Sequence, residues 1–254
     1  MKSTHYWREV VAEFWGTLFL VLLGNGSVAS AKLSQGADEG WFAVGYGIGV
    51  TVGVLIALNT SGGHINPAVT VALAVTGKFP WKKVPGFVLA QFLGGFVSGP
   101  LLYMTCHGII EKVEEGSDRT ERTRGIFATY PADGVGIWEG FADQVIGTFI
   151  LCSTILALAD SKKGPFVKGM LPFLVGLTVT GIILSFGFVA GAGINPARDF
   201  GPRVFTAIVG YEDVFSAGDY FFWIPLVGPF VGAIAAALLF PSCFGFEPST
   251  ADSD

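Results

Sequence analysis

A seven-residue string occurs twice in this chain, and it constrains the fold more than any other feature. The first copy is Gly62-Gly63-His64-Ile65-Asn66-Pro67-Ala68, and the second is Gly191-Ala192-Gly193-Ile194-Asn195-Pro196-Ala197, followed by Arg198-Asp199. Each copy reads as the start of a helix. Asparagine is a strong N-cap, because its side-chain oxygen takes a first-turn N–H that has no partner in the helix. Proline suits the next position, where its missing N–H costs nothing. The apolar run after Pro67 stops at Gly77. About eleven helical residues at ~1.5 Å each reach ~16 Å, roughly half of a ~30 Å hydrocarbon core. Each motif therefore opens a helix that enters a bilayer without crossing it. Two ordinary helix caps are the plain alternative, but duplication at matching places in two similar halves argues against them.

The bilayer itself follows from composition. The 254 residues are 51% hydrophobic and 14% charged, where a soluble domain is about a quarter charged. Apolar spans are expected at about 10–31, 41–58, 84–107, 137–159, 170–188 and 220–240, with half-spans from Asn66 to about Thr76 and from Asn195 onward. The small-residue ending of span 1, Val28-Ala29-Ser30-Ala31, resembles a signal-peptide cleavage site. Glu13 interrupts its apolar region and the span has a counterpart later, so it reads as retained. Glycines 45, 47, 49 and 53 in span 2 would weaken a soluble helix but let membrane helices approach closely. Residues 109–136 read as a charged connecting loop, and 247–254 as a disordered acidic tail. Cys106, Cys152 and Cys243 lack metal-ligand spacing and read as small hydrophobes without a disulfide framework. The net charge of −5 gives no sign of nucleic-acid binding.

The halves are an internal repeat, about 8–108 and 137–241, within one membrane domain of residues 1–246. Glu13-Phe14-Trp15-Gly16-Thr17 matches Gln144-Val145-Ile146-Gly147-Thr148, and Gln91-Phe92-Leu93-Gly94 matches Pro229-Phe230-Val231-Gly232. Each half holds three full spans. Three is odd, so the second half is inverted, and the half-spans enter from opposite faces to meet near the centre. The fold class expected is an all-α membrane protein of six transmembrane helices and two half-membrane helices. Lys78, Lys82, Lys83, Lys162, Lys163 and Lys168 fall on one side, which places that side and both termini in the cytoplasm, within a plasma or inner membrane. The middle loop carries Lys112, Arg119, Arg122 and Arg124 on the other side, mixed with acids, so the bias is not clean.

Two helix N-termini at the midplane make a positive zone of about half a charge each. Asn66 and Asn195 add amides that can donate into a pore. Irregular backbone is tolerated in a bilayer only where it lines a cavity, so the carbonyls of Gly62, Gly63, His64 and Ile65 and of Gly191 to Ile194 (Gly193 included) are expected to form a polar rail. Arg198, about one turn from the midplane, offers donors to solute oxygens and repels cations. Its plainer role is an ion pair with Asp199 or Glu13. Asp199 and Arg203 are expected to support the second half-helix and the outer mouth. Glu13 and Gln144 are expected to accept backbone N–H groups of the half-spans. His64 is expected to be packed or hydrogen-bonded beside the first Asn, ahead of a proton-carrying role.

The paired boxes, six spans and Arg198 resemble the aquaporin family over nearly the whole chain. Four features are similar to its glycerol-conducting branch, the aquaglyceroporins. These are Asp199 after Arg198, the string Asn-Pro-Ala-Arg-Asp-Phe-Gly-Pro-Arg (195–203), Pro225-Leu226 in span 6, and Ile126-Phe127-Ala128-Thr129-Tyr130-Pro131 in the middle loop. The resemblance implies a homotetramer with one pore per subunit, and no cofactor, metal or catalysis. It implies a passive channel for glycerol, other small neutral solutes and water. It also places a four-residue filter on Tyr46, Ile183, Ala192 and Arg198. Glycerol channels usually carry Gly where Ile183 stands and often a second aromatic at Ala192; water channels usually carry His in place of Ile183. Tyr46 is expected to bring an aromatic wall and an added hydroxyl. The alternatives are a water-selective channel closed to glycerol by Ile183, an ion-coupled transporter using Glu13 or Asp143, and a membrane enzyme. The last has no grouped nucleophile, base or metal ligands, since His5, His64 and His107 lie far apart.

Overall fold

The computed structural model describes residues 5–34, 40–115, 122–159, 164–191 and 193–244. Ala192, Lys162, Lys163, Arg119 and the tail 247–254 lie outside the described residues. The described chain is all-helical. Six helices are long and apolar enough to cross a membrane. In chain order the helices are α1 (Tyr6–Leu33), α2 (Trp41–Ser61), the half-length α3 (Pro67–Val75), α4 (Val84–Val113), α5 (Ile137–Leu158), the short α6 (Pro165–Gly169), α7 (Leu171–Ala190), the second half-length helix α8 (Pro196–Ile208), the four-residue α9 (Ala217–Tyr220) and α10 (Ile224–Phe244). Most spans run a few residues past their sequence-based limits, because helices continue through the interface into water.

The repeat is visible in the packing. In the first half α1 packs on α2 and α4; in the second α5 packs on α7 and α10. Equivalent glycines make the equivalent contacts. A Cβ on Gly94 would lie 2.4 Å from the Phe14 carbonyl oxygen, and one on Gly232 would lie 2.2 Å from that of Val145. Real Cβ atoms do not approach so closely, so these crossings require glycine. The two halves exchange their half-helices. Helix α3 lies mainly on α10 of the second half, and α8 lies mainly on α4 of the first.

The backbone entering each half-helix starts alike. Helix α2 ends on left-handed Gly62 (φ 97°) and α7 on left-handed Gly191 (φ 76°), each returning its N–H to the preceding turn. Glycine adopts this conformation without the Cβ penalty. The paths then differ: Gly63 (φ 67°) and Ile65 (φ 45°) are left-handed in the first copy, and neither Gly193 nor Ile194 is in the second. Both end on extended caps, Asn66 (φ −157°) and Asn195 (φ −138°).

The middle loop differs from the expected plain connector. Helix α4 continues to Val113, and Ile126, Phe127, Ala128 and Thr129 are buried. Phe127 packs among Tyr103, Phe205 and Tyr211. On the opposite side, Lys83 Nζ pairs with Glu9 Oε2 at 2.7 Å. The loop bearing Lys82 and Lys83 therefore shares a face with the start of α1. Cys106 and Cys152 are buried free thiols, as expected, while Cys243 is exposed.

Candidate functional site

The two Asn-Pro-Ala boxes abut. Asn66 Oδ1 accepts from Ala68 N at 2.8 Å, and Asn195 Oδ1 accepts from Ala197 N at 3.1 Å and Arg198 N at 3.3 Å. Those are the N-caps expected from sequence. The amide nitrogens cross between halves. Asn66 Nδ2 donates to Ile194 O at 3.0 Å, and Asn195 Nδ2 donates to Ile65 O at 2.8 Å. Each NH2 carries two protons. One therefore ties the half-spans together, and one is left for the cavity.

Glu13 fulfils its expected role. Fully buried, it accepts from His64 N (2.9 Å), Ile65 N (2.6 Å), Ser61 Oγ (2.5 Å) and Gln91 Nε2 (2.7 Å). One side chain thus satisfies the strand that leads into Asn66. Gln144 departs from the expected symmetry. Its Nε2 donates to Asp143 Oδ2 at 2.6 Å, and its Oε1 is buried without a hydrogen-bond partner. It accepts no described half-span N–H. An amide beside a carboxylate donates to it, which turns Gln144 away from the role that Glu13 performs. His64 is packed as expected: its Nδ1 lies 3.2 Å from Thr70 Oγ1, and its ring meets the edges of Phe79 and Phe87.

The second box is braced by ions. Asp199 accepts from Arg203 Nε (2.9 Å), Thr129 N (2.6 Å) and Thr129 Oγ1 (2.5 Å). Arg203 also donates to Val214 O at 2.6 Å and to Thr129 O. The carboxylate is thereby committed, and Arg198 Nη1 stands 3.8 Å from it with no hydrogen-bond partner. Of the plainer reading of Arg198, the structure keeps a long ion pair with Asp199 and none with Glu13, which is engaged elsewhere. The guanidinium also lies 4.7 Å from the centroid of the Tyr46 ring. Outside the spans, Tyr130 lies 4.5 Å from the guanidinium carbon of Arg203 and 4.6 Å from that of Arg124. Burial pushes the Tyr130 phenol above its ordinary range, against a smaller opposite pull from Arg203, so it stays neutral at physiological pH.

Two cavities follow this skeleton. The inner one, about 140 Å³, runs from Leu171 and Ala159 past both boxes to Tyr46, Ile183 and Arg198. Leu20, Val50, Val54, Leu151, Val175 and Val179 form its apolar wall, and Gly62, Gly63, His64, Ile65 and Ile194 pass along it. The outer one, about 470 Å³, is a wider mouth lined by Lys32, Thr129, Tyr130, Phe188 and Gly191. Ile183 and Arg198 border both. Of the four expected filter residues, Tyr46 lines the inner cavity and Ile183 and Arg198 line both; the fourth, Ala192, lies outside the described residues. Two expectations need correction. Gly193 lines neither cavity, because its α-carbon backs onto Thr129, Pro225 and Gln144. The Tyr46 hydroxyl donates to Asn25 Oδ1, so it is not an added donor for the cavity. Asn25 escaped notice in the sequence, although a lone amide in an apolar span is itself a signal of a buried hydrogen bond.

Two re-entrant half-helices, donated by inverted repeats and joined tip to tip beside a cavity, define a class: a multi-pass membrane protein organised around broken helices. The family model for major intrinsic proteins matches residues 1–240, and the chain belongs to that family. Aquaglyceroporin-2 of Rhizophagus irregularis is 43% identical over 242 residues, covering 92% of this chain and 76% of that protein. Aquaporin-9 of Homo sapiens is 40% identical over 239 residues, covering 92% and 81%. The X-ray structure of the aquaglyceroporin from Plasmodium falciparum superposes with a TM-score of 0.84 at 31% identity, covering 93% of this chain and 96% of that one.

Proposed function

We propose that this chain is a passive channel for glycerol, related small neutral solutes and water, and that it excludes ions and protons. The observation that carries this reading is the junction of the two cavities. There Arg198, stacked beside Tyr46 and bordering the cavity with Ile183, presents a guanidinium nitrogen that makes no hydrogen bond. A polyol needs donors on one flank for its hydroxyls and an apolar surface on the other for its carbons. Below that point the remaining amide protons of Asn66 and Asn195 replace solute hydration, and the aliphatic wall continues. Cations meet Arg198 and two helix N-termini while losing water, which opposes their entry. In this reading Tyr46, Ile183, Ala192 and Arg198 form the filter, and Glu13 and Asp199 hold the half-spans. An ion-coupled transporter fits less well, since every hydrogen bond of Glu13 goes to structural groups. We place both termini in the cytoplasm of a plasma or inner membrane, and the exposed aliphatic faces against lipid and three further copies of the chain.

The test is stopped-flow light scattering on proteoliposomes, with glycerol and water gradients on one preparation. Glycerol flux well above protein-free vesicles is the expected result. Fast water flux with glycerol at the vesicle level would overturn the glycerol reading and leave a water channel limited by Ile183. Arg198→Val should leave water flux near wild type and raise proton or ion leak about tenfold, as for about 1.4 kcal/mol less barrier. An unchanged leak would count against the exclusion role of Arg198.

A further inference from the structure

Asn25 sits in the apolar run of α1 and is 1% exposed. Both ends of its amide are used. Nδ2 donates to Phe127 O at 3.1 Å, and Oδ1 accepts the Tyr46 hydroxyl. Its neighbour Gly24 makes the space for this bond. A Cβ on Gly24 would lie 2.1 Å from Tyr46 Cε1 and 2.3 Å from Cδ1, so the ring rests directly on the α1 backbone. The same ring faces the guanidinium of Arg198 at 4.7 Å. An amide carries a strong acceptor and a separate strong donor on one short planar group. Here the acceptor takes the phenol, and the donor takes a buried carbonyl of the middle loop.

We propose that Asn25 is a positioning residue for solute selection: it anchors the Tyr46 hydroxyl inside the protein, so that Tyr46 gives the filter an aromatic wall and no hydroxyl. This rests on the reading of Tyr46, Ile183 and Arg198 as the filter. A free phenol there would act as a second donor beside Arg198 and hold solute hydroxyls. With the phenol anchored, Arg198 makes the polar contact, and Tyr46 meets the solute with carbon only. The anchor also ties the ring to the loop that braces the second box. Phe127 holds Asn25, and two residues on Thr129 holds Asp199. One loop segment thus fixes both the ring and the neighbour of Arg198.

The experiment compares water and glycerol permeability of variants in proteoliposomes. Tyr46→Phe removes the hydroxyl from the filter wall and sets the reference ratio for a phenol-free ring. Asn25→Leu orphans the hydroxyl and should lower the glycerol-to-water ratio about fivefold or more. Asn25→Leu combined with Tyr46→Phe should return the ratio to that of Tyr46→Phe, since no hydroxyl is left to turn inward. Gly24→Ala displaces the ring itself, so it should lower glycerol flux and Tyr46→Phe should not rescue it. The proposal is overturned by an unchanged ratio in Asn25→Leu, or by a double variant whose ratio stays at the Asn25→Leu value and does not reach that of Tyr46→Phe. If Asn25→Leu loses both fluxes, recovery in the double variant supports the proposal, and continued loss overturns it by making Asn25 a folding residue only. A wild-type chain without glycerol flux instead overturns the glycerol reading. The variants are then scored on water flux: a fall in Asn25→Leu that Tyr46→Phe restores supports the anchor, and an unchanged flux or no rescue overturns it.

Discussion

Glu13→Leu should yield almost no folded protein after detergent extraction. The carboxylate receives four hydrogen bonds, two of them from consecutive backbone N–H groups at His64 and Ile65. Leucine fills similar space and accepts nothing. Each orphaned buried group costs about 1–3 kcal/mol. Three are orphaned, His64 N, Ile65 N and one Gln91 N–H, since Ser61 Oγ also reaches Ala57 O; at about 3–9 kcal/mol together they rival the margin of about 5–15 kcal/mol that keeps an ordinary protein folded. The strand into Asn66 cannot recover these bonds from water, since it is buried. Size-exclusion chromatography with a thermal unfolding scan reads the result. Glu13→Gln retains one acceptor oxygen and should fall between the two. A monodisperse Glu13→Leu sample melting with wild type would mean that the half-span is held by packing alone.

Asp199→Ala should destabilise the second half-span by leaving Arg203 as an unpaired cation at 1% exposure. Breaking a buried ion pair from one side costs about 3–5 kcal/mol. At about 2–4 °C per kcal/mol for a chain of this size, that lowers the melting temperature by about 6–20 °C. Thr129 loses its acceptor as well, which loosens the middle loop over the mouth. Asp199→Ala combined with Arg203→Leu removes the stranded charge and should recover part of the loss. Equal melting temperatures for wild type and Asp199→Ala would show that Arg203 is satisfied by the carbonyls of Val214 and Thr129 without the carboxylate.

The fold was legible because its determinants are local and duplicated. Asn-Pro fixes a helix start, a run of about eleven apolar residues fixes half a bilayer, and an odd number of spans per repeat fixes the inversion. Glu13 and Arg198 were legible because a charge within apolar sequence needs a reason. What could not be read depends on partners distant in sequence. Whether a tyrosine hydroxyl faces a cavity is decided by residue 25 acting on residue 46, and no spacing rule links them. Gln144 aligns with Glu13, yet the neighbouring Asp143 diverts its amide, a competition that alignment does not reveal. The middle loop looked like a linker because its charges outnumber the buried run 126–129. Ile183 borders both cavities, while the position of Gly193 behind the passage depends on Pro225 and Thr129.

The exchange of half-helices between repeats has a consequence for synthesis. Helix α3 is made early, yet the surface it lies on belongs to α10, made last. Until α10 is inserted, the first half-helix lacks its main support, and its apolar side chains must rest against lipid or the insertion machinery. The first repeat alone is therefore not a folding unit, despite its three complete spans. Maturation is set by the final helix: a ribosome that stalls before residue 224 leaves about seven-eighths of the chain made and the passage unbuilt.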